Sequence, residues 1–195
     1  MTQNAIIFGG TGYIGIRLAR FLRGRGWDHV VLADVKPPTV TLPEGIEYVT
    51  CDVRRPIGPQ VGVRSADWLF NFAAIHREPG HAFREYFDTN LPGARNVCAY
   101  ADAIGCEKLL FTSSIAVYGE ITGPTHEGVR TYPDTGYGIS KLCAELIHEA
   151  WQRAADGRRI VIVRPGVVYG PGDPGNILRI LLKTVKVVLW GHGAY

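Results

Sequence analysis

Short apolar runs alternate along the chain with longer segments in which apolar residues recur at helical spacing. The short runs predict strands at 5–8, 30–33, 47–50, 68–72, 108–112 and 160–163. The longer segments predict helices at 12–24, 82–104 and 137–155, with a break or a new first turn at Pro92, which cannot donate a helical hydrogen bond. Buried strands that alternate with helices are typical of a parallel sheet covered on both faces. The pattern therefore predicts a doubly wound α/β domain.

Length and composition are those of an ordinary globular protein. The 195 residues suit one domain with room for a fragment of a second. Hydrophobic residues make up 46% and charged residues 20%, which excludes a disordered chain and a collagen-like fibre. The 24 glycines exceed the usual share and indicate tight turns and close backbone approaches.

The charge pattern argues against nucleic acid and membranes as partners. The chain has 21 Lys+Arg and 18 Asp+Glu, a net charge of +3, and its basic residues are scattered. The densest basic stretch, 17–25, has helical spacing and indicates a solvated helix face. We expect neither a signal peptide nor a membrane span, because the start lacks a basic n-region and the apolar stretch 177–190 carries Arg179, Lys183 and Lys186.

Cysteine and histidine positions predict a reduced, metal-free protein. The four cysteines form no CxxC motif and indicate reduced core thiols in a cytoplasmic protein; they are Cys51, Cys98, Cys106 and Cys143. His76 and His81 lie five residues apart in a loop interrupted by proline and glycine, which is not a metal-ligand spacing.

A glycine-rich turn, GGTGYIG at 9–15, joins the first predicted strand to the first helix. Gly9 permits a tight turn, Gly12 lets backbone N–H groups approach a pyrophosphate, and Gly15 lets the helix pack against the strand. The spacing is GxxGxxG rather than the GxGxxG of the dinucleotide fingerprint, so a purely structural turn remains the alternative.

Two acidic residues follow neighbouring strands. Asp34 ends the second strand, 19 residues after Gly15, where a carboxylate would bind an adenosine ribose 2′-OH and repel the 2′-phosphate of NADP. This favours NAD, although Lys36 lies nearby. Asp52 follows the third strand and suits either the adenine edge or a plain turn or cap.

Tyr137 and Lys141 lie at i and i+4 on one face of the third predicted helix. A tyrosine has an ordinary pKa of about 10, and a nearby cation favours its phenolate, so the pair suits acid/base chemistry; a surface pair is the alternative. Ser113 and Ser114 end the fifth strand and would converge with this helix and the glycine turn at the carboxyl edge of the sheet. Either serine would bind a substrate oxygen or cap the strand end.

Together these motifs resemble the extended short-chain dehydrogenase/reductase family. They are the glycine turn with Asp34, TSSIAVYG at 112–119, YGISK at 137–141 and RPGVVYGPGD at 164–173, in family order. Within that family the chain is similar to the NAD-dependent epimerase/dehydratase group that acts on nucleotide sugars. The resemblance implies a Rossmann fold, Tyr137 as the acid/base, Lys141 as its partner and nicotinamide-ribose ligand, and Ser114 as the catalytic hydroxyl.

The resemblance also implies where NAD and the substrate bind. Cofactor contacts are expected at Gly9, Gly12, Tyr13, Ile14, Gly15, Asp34, Asp52, Val53, Ala73, Ala74, Asn90, Ser113, Tyr137, Lys141 and Pro165. Asn90 would brace the site, with helix packing as its alternative role. Residues 1–174 would form the NAD-binding domain with the catalytic residues, and 175–195 the start of a C-terminal substrate domain that is largely missing.

The chain departs from the sequence pattern of this group at two places, one that bears on the type of reaction and one that bears on the sugar. Sugar 4,6-dehydratases carry Asp-Glu where this chain has Ile115 and Ala116, which cannot move a proton, so dehydration by that route is disfavoured. Many epimerases carry an asparagine where this chain has Val167, so the sugar is undetermined. Asn176 would contact a diphosphate or cap a helix.

We therefore expect an NAD-dependent nucleotide-sugar epimerase. The alternatives are an NAD(P)-dependent sugar dehydrogenase or reductase with net redox change, and a cofactor-binding fragment without catalysis. The resemblance also suggests a homodimer through the helices at 82–104 and 137–155, whose apolar faces would equally suit a core.

Overall fold

The computed structural model describes residues 3–62, 65–76 and 80–172. Six strands are present: β1 (Asn4–Phe8), β2 (His29–Asp34), β3 (Ile46–Thr50), β4 (Trp68–Asn71), β5 (Lys108–Thr112) and β6 (Arg159–Val163). The helices are α1 (Tyr13–Gly24), α2 (Phe83–Ala103) and α3 (Gly136–Arg153), with short 3₁₀ turns at Pro59–Val61 and Ile115–Tyr118. Every predicted strand and helix is confirmed, with its ends within two residues of the expected positions.

All six strands run parallel in the order β3-β2-β1-β4-β5-β6, so the predicted doubly wound Rossmann sheet is confirmed. Ile6 of β1 is paired with Val31 on one side and Leu69 on the other. The chain winds outward from β1 to β3 and then returns to the opposite side of β1 with β4. This reversal opens a crevice at the carboxyl ends of β1 and β4, where open α/β sheets bind ligands.

Each face of the sheet has its own apolar core. Ile6 and Phe8 of β1 belong to the larger core, which α2 and α3 cover. Ile7, on the opposite face, belongs to a smaller core with Ala19 and Leu22 of α1. Because alternate side chains of a strand point to opposite faces, a central strand buried on both sides is apolar throughout.

The chain divides into two compact units, residues 1–164 and 165–195. All the named strands and helices belong to the first unit. In the second, residues 165–172 are described and contain no helix or strand. The predicted domain boundary at 174 stays a prediction, and the expected region 175–195 lies outside the described residues, as does Asn176.

The expected break at Pro92 is wrong: α2 runs without interruption from Phe83 to Ala103 and contains Pro92. Proline removes one helical hydrogen bond and crowds the preceding turn, a local cost of about 3 kcal/mol. Buried residues on both sides, among them Asn90, Gly93 and Val97, hold α2 in place. Tertiary packing thus outweighs the local preference.

Arg23 departs from the predicted solvated face of α1. It is half-buried and donates hydrogen bonds to the backbone carbonyls of Glu44 at 2.9 Å and Asp28 at 2.8 Å, and also to that of Trp27. Arg17, Arg20 and Arg25 are exposed, as predicted. Arg23 therefore ties the end of α1 to the segment before β3.

The four cysteines are free thiols; three are buried and Cys143 is half-buried. Burial raises the pKa of the Cys98 thiol to about 12, so it is unreactive near neutral pH. No helix in the described ranges combines the length and hydropathy that crossing a bilayer requires. Over the same residues, no three His, Cys, Asp or Glu side chains gather in a group that could hold a metal ion.

Candidate active site

The glycine turn between β1 and α1 is shaped by close backbone approaches. Gly9 has a φ of +72°, and a Cβ there would lie 2.6 Å from the backbone nitrogen of Ala73. A Cβ on Gly15 would lie 2.4 Å from the carbonyl oxygen of Gly10. Gly10, which sequence reasoning assigned no role, would place its Cβ 2.6 Å from the Ile7 carbonyl oxygen. Packing alone therefore requires glycine at these three positions.

Gly12 has different surroundings. It is the exposed N-cap residue of α1, and a Cβ there would meet only the Gly9 carbonyl oxygen, at 3.2 Å. The first helical residues, Tyr13 and Ile14, follow it, and no side chain caps their turn. The first N–H groups of a helix have no acceptor within the helix, and together with the helix dipole they attract anions. Because Gly12 has no side chain, the N-terminus of α1 is accessible to an anion.

Asp34, at the end of β2, lies beside the glycine turn. Its Oδ2 accepts a hydrogen bond from the backbone N–H of Thr11 at 3.1 Å, and its Oδ1 accepts one from the backbone N–H of Lys36 at 3.3 Å. Gly9 also donates to the Ala33 carbonyl at 2.9 Å. The structure therefore brings two predicted features, the turn and the acidic strand end, into direct contact.

Asp52 and Val53 follow β3. The Asp52 carboxylate is bound by the Arg54 side chain, with its shortest contact at 2.7 Å, and this hydrogen bond lowers the pKa of Asp52. Val53 is buried in the larger core, and its carbonyl accepts from Asn96 of α2 at 2.8 Å.

Asn90 joins three elements. This buried residue of α2 accepts at its Oδ1 from the backbone N–H of Ile75 at 3.0 Å and donates to the Ile75 carbonyl at 3.3 Å. It also donates to the Ser140 hydroxyl of α3 at 2.9 Å. Ile75 belongs to the segment after β4 that contains Ala73 and Ala74, both half-buried. Asn90 thus fixes this segment against α2 and α3.

The two serines after β5 have different environments. Ser113 is buried and donates its N–H to the Val163 carbonyl at 2.7 Å, but its Oγ has no hydrogen-bond partner among the described residues. Ser114 is half-buried and begins the Ile115–Tyr118 turn, where its Oγ accepts from the backbone N–H of Ala116 at 3.2 Å. Ser114 therefore caps the start of this turn rather than the strand end, and its hydroxyl hydrogen can still be donated elsewhere.

Tyr137 and Lys141 lie in the first two turns of α3. Tyr137 is half-buried, with its ring centroid 6.1 Å from that of Tyr86. Lys141 is only 2% exposed, so a surface pair is ruled out. Its Nζ donates to the Thr112 carbonyl at 2.5 Å and lies 4.5 Å from the Phe111 ring centroid. Burial lowers the pKa of Lys141 to about 7, an effect that Glu145 opposes.

A cleft of about 520 Å³ opens beside Tyr137. Its other lining residues come from three further segments: His76, Ala116, Gly119, Glu120, Asp134 and Thr135. The cleft brings Tyr137 together with Ala116, which bonds to Ser114, and with the segment that Asn90 fixes. Glu120 and Asp134 were not predicted from the sequence, and His76 was considered only as a metal ligand. The position of His76, directly after the segment that contains Ala73, could have indicated that it lies at the site.

Comparison with known proteins decides the family. The sequence model of the NAD dependent epimerase/dehydratase family matches residues 5–194. The chain belongs to this family. The match spans the glycine turn, the serines and the Tyr137–Lys141 helix, so the family assignment and the site rest on the same residues.

Relatives of this epimerase/dehydratase-family chain include proteins with different reactions. The N-acetyl-alpha-D-glucosaminyl-diphospho-ditrans,octacis-undecaprenol 4-epimerase of Escherichia coli O157:H7 is 29% identical over 99% of this chain and 58% of its own length. The mitochondrial L-threonine 3-dehydrogenase of Bos taurus is 31% identical over 89% of this chain and 48% of its own length. The chain spans about half the length of the curated relatives it matches.

A solved structure gives the same picture. MoeE5 in complex with UDP-glucuronic acid and NAD has a TM-score of 0.80 and 27% identity to this family member, over 93% of this chain and 60% of MoeE5. The Rossmann architecture of the chain is therefore shared with a protein that binds a nucleotide sugar and NAD.

Two further buried titratable residues of this family member were not predicted from the sequence. Glu145, one turn after Lys141, is 1% exposed and accepts two hydrogen bonds from the Arg164 guanidinium, at 2.9 and 2.7 Å. His148, one turn further, is bonded to Asn71 at 3.2 Å. Helical periodicity was the available signal, because 141, 145 and 148 lie on the face of α3 that points inward.

Pro165 and Val167 lie in the second compact unit. The predicted contact of Pro165 with a nicotinamide ring stays a prediction.

Proposed function

We propose that the protein is an NAD-dependent nucleotide-sugar epimerase. The observation that carries the proposal is the cleft at Tyr137, with the buried Lys141 on the same helix and the Ser114 turn beside it. The cleft lies in the unit that also contains the glycine turn. A phenol, an ammonium and a hydroxyl near the carboxyl edge of the sheet are the groups needed to oxidise and reduce a sugar alcohol.

The residues present fit NAD. The accessible N-terminus of α1 at Gly12 suits the pyrophosphate, and the Asp34 carboxylate suits a ribose hydroxyl while repelling a 2′-phosphate. The hydroxyl of Ser113, buried and without a described partner, is a further polar group for the cofactor or substrate. When bound, NAD supplies reversible oxidation of the sugar carbon, and re-reduction from the other face gives the epimer.

The protein's own groups would move and hold the proton. Tyr137 would accept the proton of the sugar hydroxyl on its phenolic oxygen and later return it. Lys141, as a cation, favours the phenolate. Ser114 would donate its hydroxyl hydrogen to the same sugar oxygen and orient it. Fixed groups of this kind accelerate reactions because they need little reorganisation.

Two features support epimerisation of a nucleotide sugar. Ile115 and Ala116 follow Ser114 in the turn, and neither can transfer a proton for dehydration. The E. coli relative is a 4-epimerase, and MoeE5 was solved with UDP-glucuronic acid.

Replacing the tyrosine tests the proposal. We expect Tyr137→Phe, in the full-length protein, to reduce interconversion of UDP-sugars by about 10²–10⁴-fold, the usual contribution of a general acid/base. Tyr132→Phe is the matched control, because Tyr132 is 71% exposed and should leave turnover unchanged. Unaltered turnover in Tyr137→Phe would rule this mechanism out.

A net dehydrogenase is the second candidate, and the bovine L-threonine 3-dehydrogenase relative favours it. Absorbance of reduced nicotinamide separates the two activities. An epimerase shows no net change as substrate turns over, whereas a dehydrogenase forms or consumes the reduced cofactor stoichiometrically. A cofactor-binding protein without catalysis would instead gain thermal stability from NAD and none from any sugar nucleotide.

We also propose a homodimer through α2 and α3. Phe83 of α2 is 61% exposed and Leu146 of α3 is 56% exposed, which is unusual for large apolar side chains. Light scattering after size-exclusion chromatography would give twice the chain mass, and a monomeric mass would contradict the proposal.

A further inference from the structure

Glu145 and Arg164 form a charge pair inside the protein that the proposed reaction does not use. The guanidinium forms two parallel hydrogen bonds to the carboxylate, 2.9 Å to Oε1 and 2.7 Å to Oε2. Glu145 is 1% exposed, and the Arg164 side chain is 22% exposed. Replacing such a pair by apolar residues is often neutral or stabilising, because the desolvation of both charges is costly. Stability alone is therefore a poor reason for this pair.

Arg164 has a third contact, to the turn that follows β5. Its Nη1 donates to the Tyr118 hydroxyl at 2.8 Å, and the guanidinium lies 5.0 Å from the Tyr118 ring centroid. Tyr118 is the last residue of the 3₁₀ turn that Ser114 begins. Arg164 itself directly follows β6. One side chain therefore connects α3, the end of β6 and the Ser114 turn.

Glu145 has a second cation beside it. It follows Lys141 by one helical turn on the same inward face, and both side chains are almost fully buried. The other groups around Lys141 are neutral or weakly basic. They are the Thr112 carbonyl and the Phe111 ring of β5, and His148 of α3, which stacks on Phe111. Burial favours the neutral form of Lys141, and the nearby Glu145 carboxylate favours its charged form.

We propose that Glu145 and Arg164 are positioning residues for the Tyr137–Lys141 pair and Ser114. Glu145 shares its negative charge between Lys141 and Arg164 and so sets how readily Lys141 carries a proton. Arg164 holds Glu145 in place and, through Tyr118, fixes the Ser114 turn against α3. The inference rests on the proposed function for its catalytic consequence, but its electrostatic part concerns this chain alone.

The titration of Lys141, followed by NMR of chain labelled with ¹³C at lysine Cε, tests the electrostatic part without cofactor. The wild-type chain should titrate with a pKa near 7. Glu145→Gln should lower that midpoint by about one pH unit or more, because the nearby anion is lost. Arg164→Met should raise it, because Glu145 then has Lys141 as its remaining cationic partner. Glu149→Gln is the matched control on α3, since its carboxylate bonds to the exposed Arg153.

Shifts of the Lys141 midpoint in opposite directions in Glu145→Gln and Arg164→Met support the proposal. If the two residues only stabilised the fold, the direction of the shift would not depend on whether a negative or a positive charge was removed. Equal shifts in both variants, or none, would overturn it. If Glu145→Gln does not fold, the rise expected in Arg164→Met still decides the question. Failure of the wild-type chain to bind NAD would contradict the proposed function and leave this titration result intact.

The positioning part is tested by kinetics in the full-length protein. Arg164→Lys keeps the charge but loses the two-pronged geometry, so we expect kcat to fall by about tenfold or more with KM nearly unchanged. The acidic limb of the kcat–pH profile should shift in the same direction as the Lys141 midpoint in each variant. An unchanged kcat in Arg164→Lys would contradict this part.

Discussion

Gly15 and Gly24 lie on the same helix in opposite surroundings. A Cβ on Gly15 would come within 2.4 Å of the Gly10 carbonyl oxygen, whereas a Cβ on Gly24 would meet nothing within 4 Å. We expect Gly15→Ala to lower the free energy of unfolding by about 1–3 kcal/mol through overpacking. Gly24→Ala should raise it by up to about 1 kcal/mol through helix propensity. Urea unfolding measures both, and equal effects would contradict the packing described for the glycine turn.

His148 should make the fold sensitive to mild acid. Its Nδ1–H donates to the Ala144 carbonyl at 2.7 Å, so the neutral ring accepts at Nε2 from the Asn71 amide, at 3.2 Å. Burial lowers the pKa of His148 to about 4, from 6.5 in the unfolded chain. The unfolded state therefore binds the proton first, and stability present above pH 6.5 is lost as the pH falls towards 4, by about 3 kcal/mol in total.

Replacing His148 isolates this effect. In His148→Gln, the free energy of unfolding should fall less between pH 6.5 and pH 4 than in the wild-type chain. His126→Gln, at an exposed histidine, should follow the wild type. An identical pH dependence in all three chains would show that His148 is not the sensitive group.

At the scale of the elements, one buried side chain fixes the segment after β4. Asn90 bonds both backbone groups of Ile75 and the Ser140 hydroxyl. Asn90→Ala should cost about 1–3 kcal/mol, because buried polar groups lose their partner, and should also weaken NAD binding. Asp102→Ala, which removes contacts to Trp151 and Arg158 at the other end of α2, is the comparison and should leave NAD affinity unchanged. Equal NAD affinity in wild type and Asn90→Ala would contradict a bracing role for Asn90.

The strands and helices could be predicted because their apolar periodicity is local in the sequence. The predicted break at Pro92 was wrong because local propensity does not include the tertiary packing of α2 through Gly93 and Val97. The meeting of the glycine turn with Asp34 could be predicted, because the two features follow neighbouring parallel strands. The Glu145–Arg164 pair could not be predicted, since its partners are 19 residues apart and meet because β6 runs beside β5 next to α3. No sequence spacing encodes such a meeting.

For the molecule as a whole, the reversal of strand order beside β1 explains why separate motifs reach one edge of the sheet. The glycine turn follows β1, the Asn90-bound segment follows β4, and the serines follow β5, so neighbouring strands deliver all three to the same edge. The family model covers residues 5–194, yet the chain spans about half the length of its relatives. We expect residues 1–164, the unit that contains the glycine turn, to bind the cofactor.

Calorimetric titration of the purified 195-residue chain with NAD, and separately with NADP, measures whether the glycine turn and Asp34 bind a dinucleotide. We expect saturable binding of one NAD per chain, with weaker binding of NADP because the Asp34 carboxylate repels a 2′-phosphate. Absence of saturable heat with either dinucleotide would contradict it.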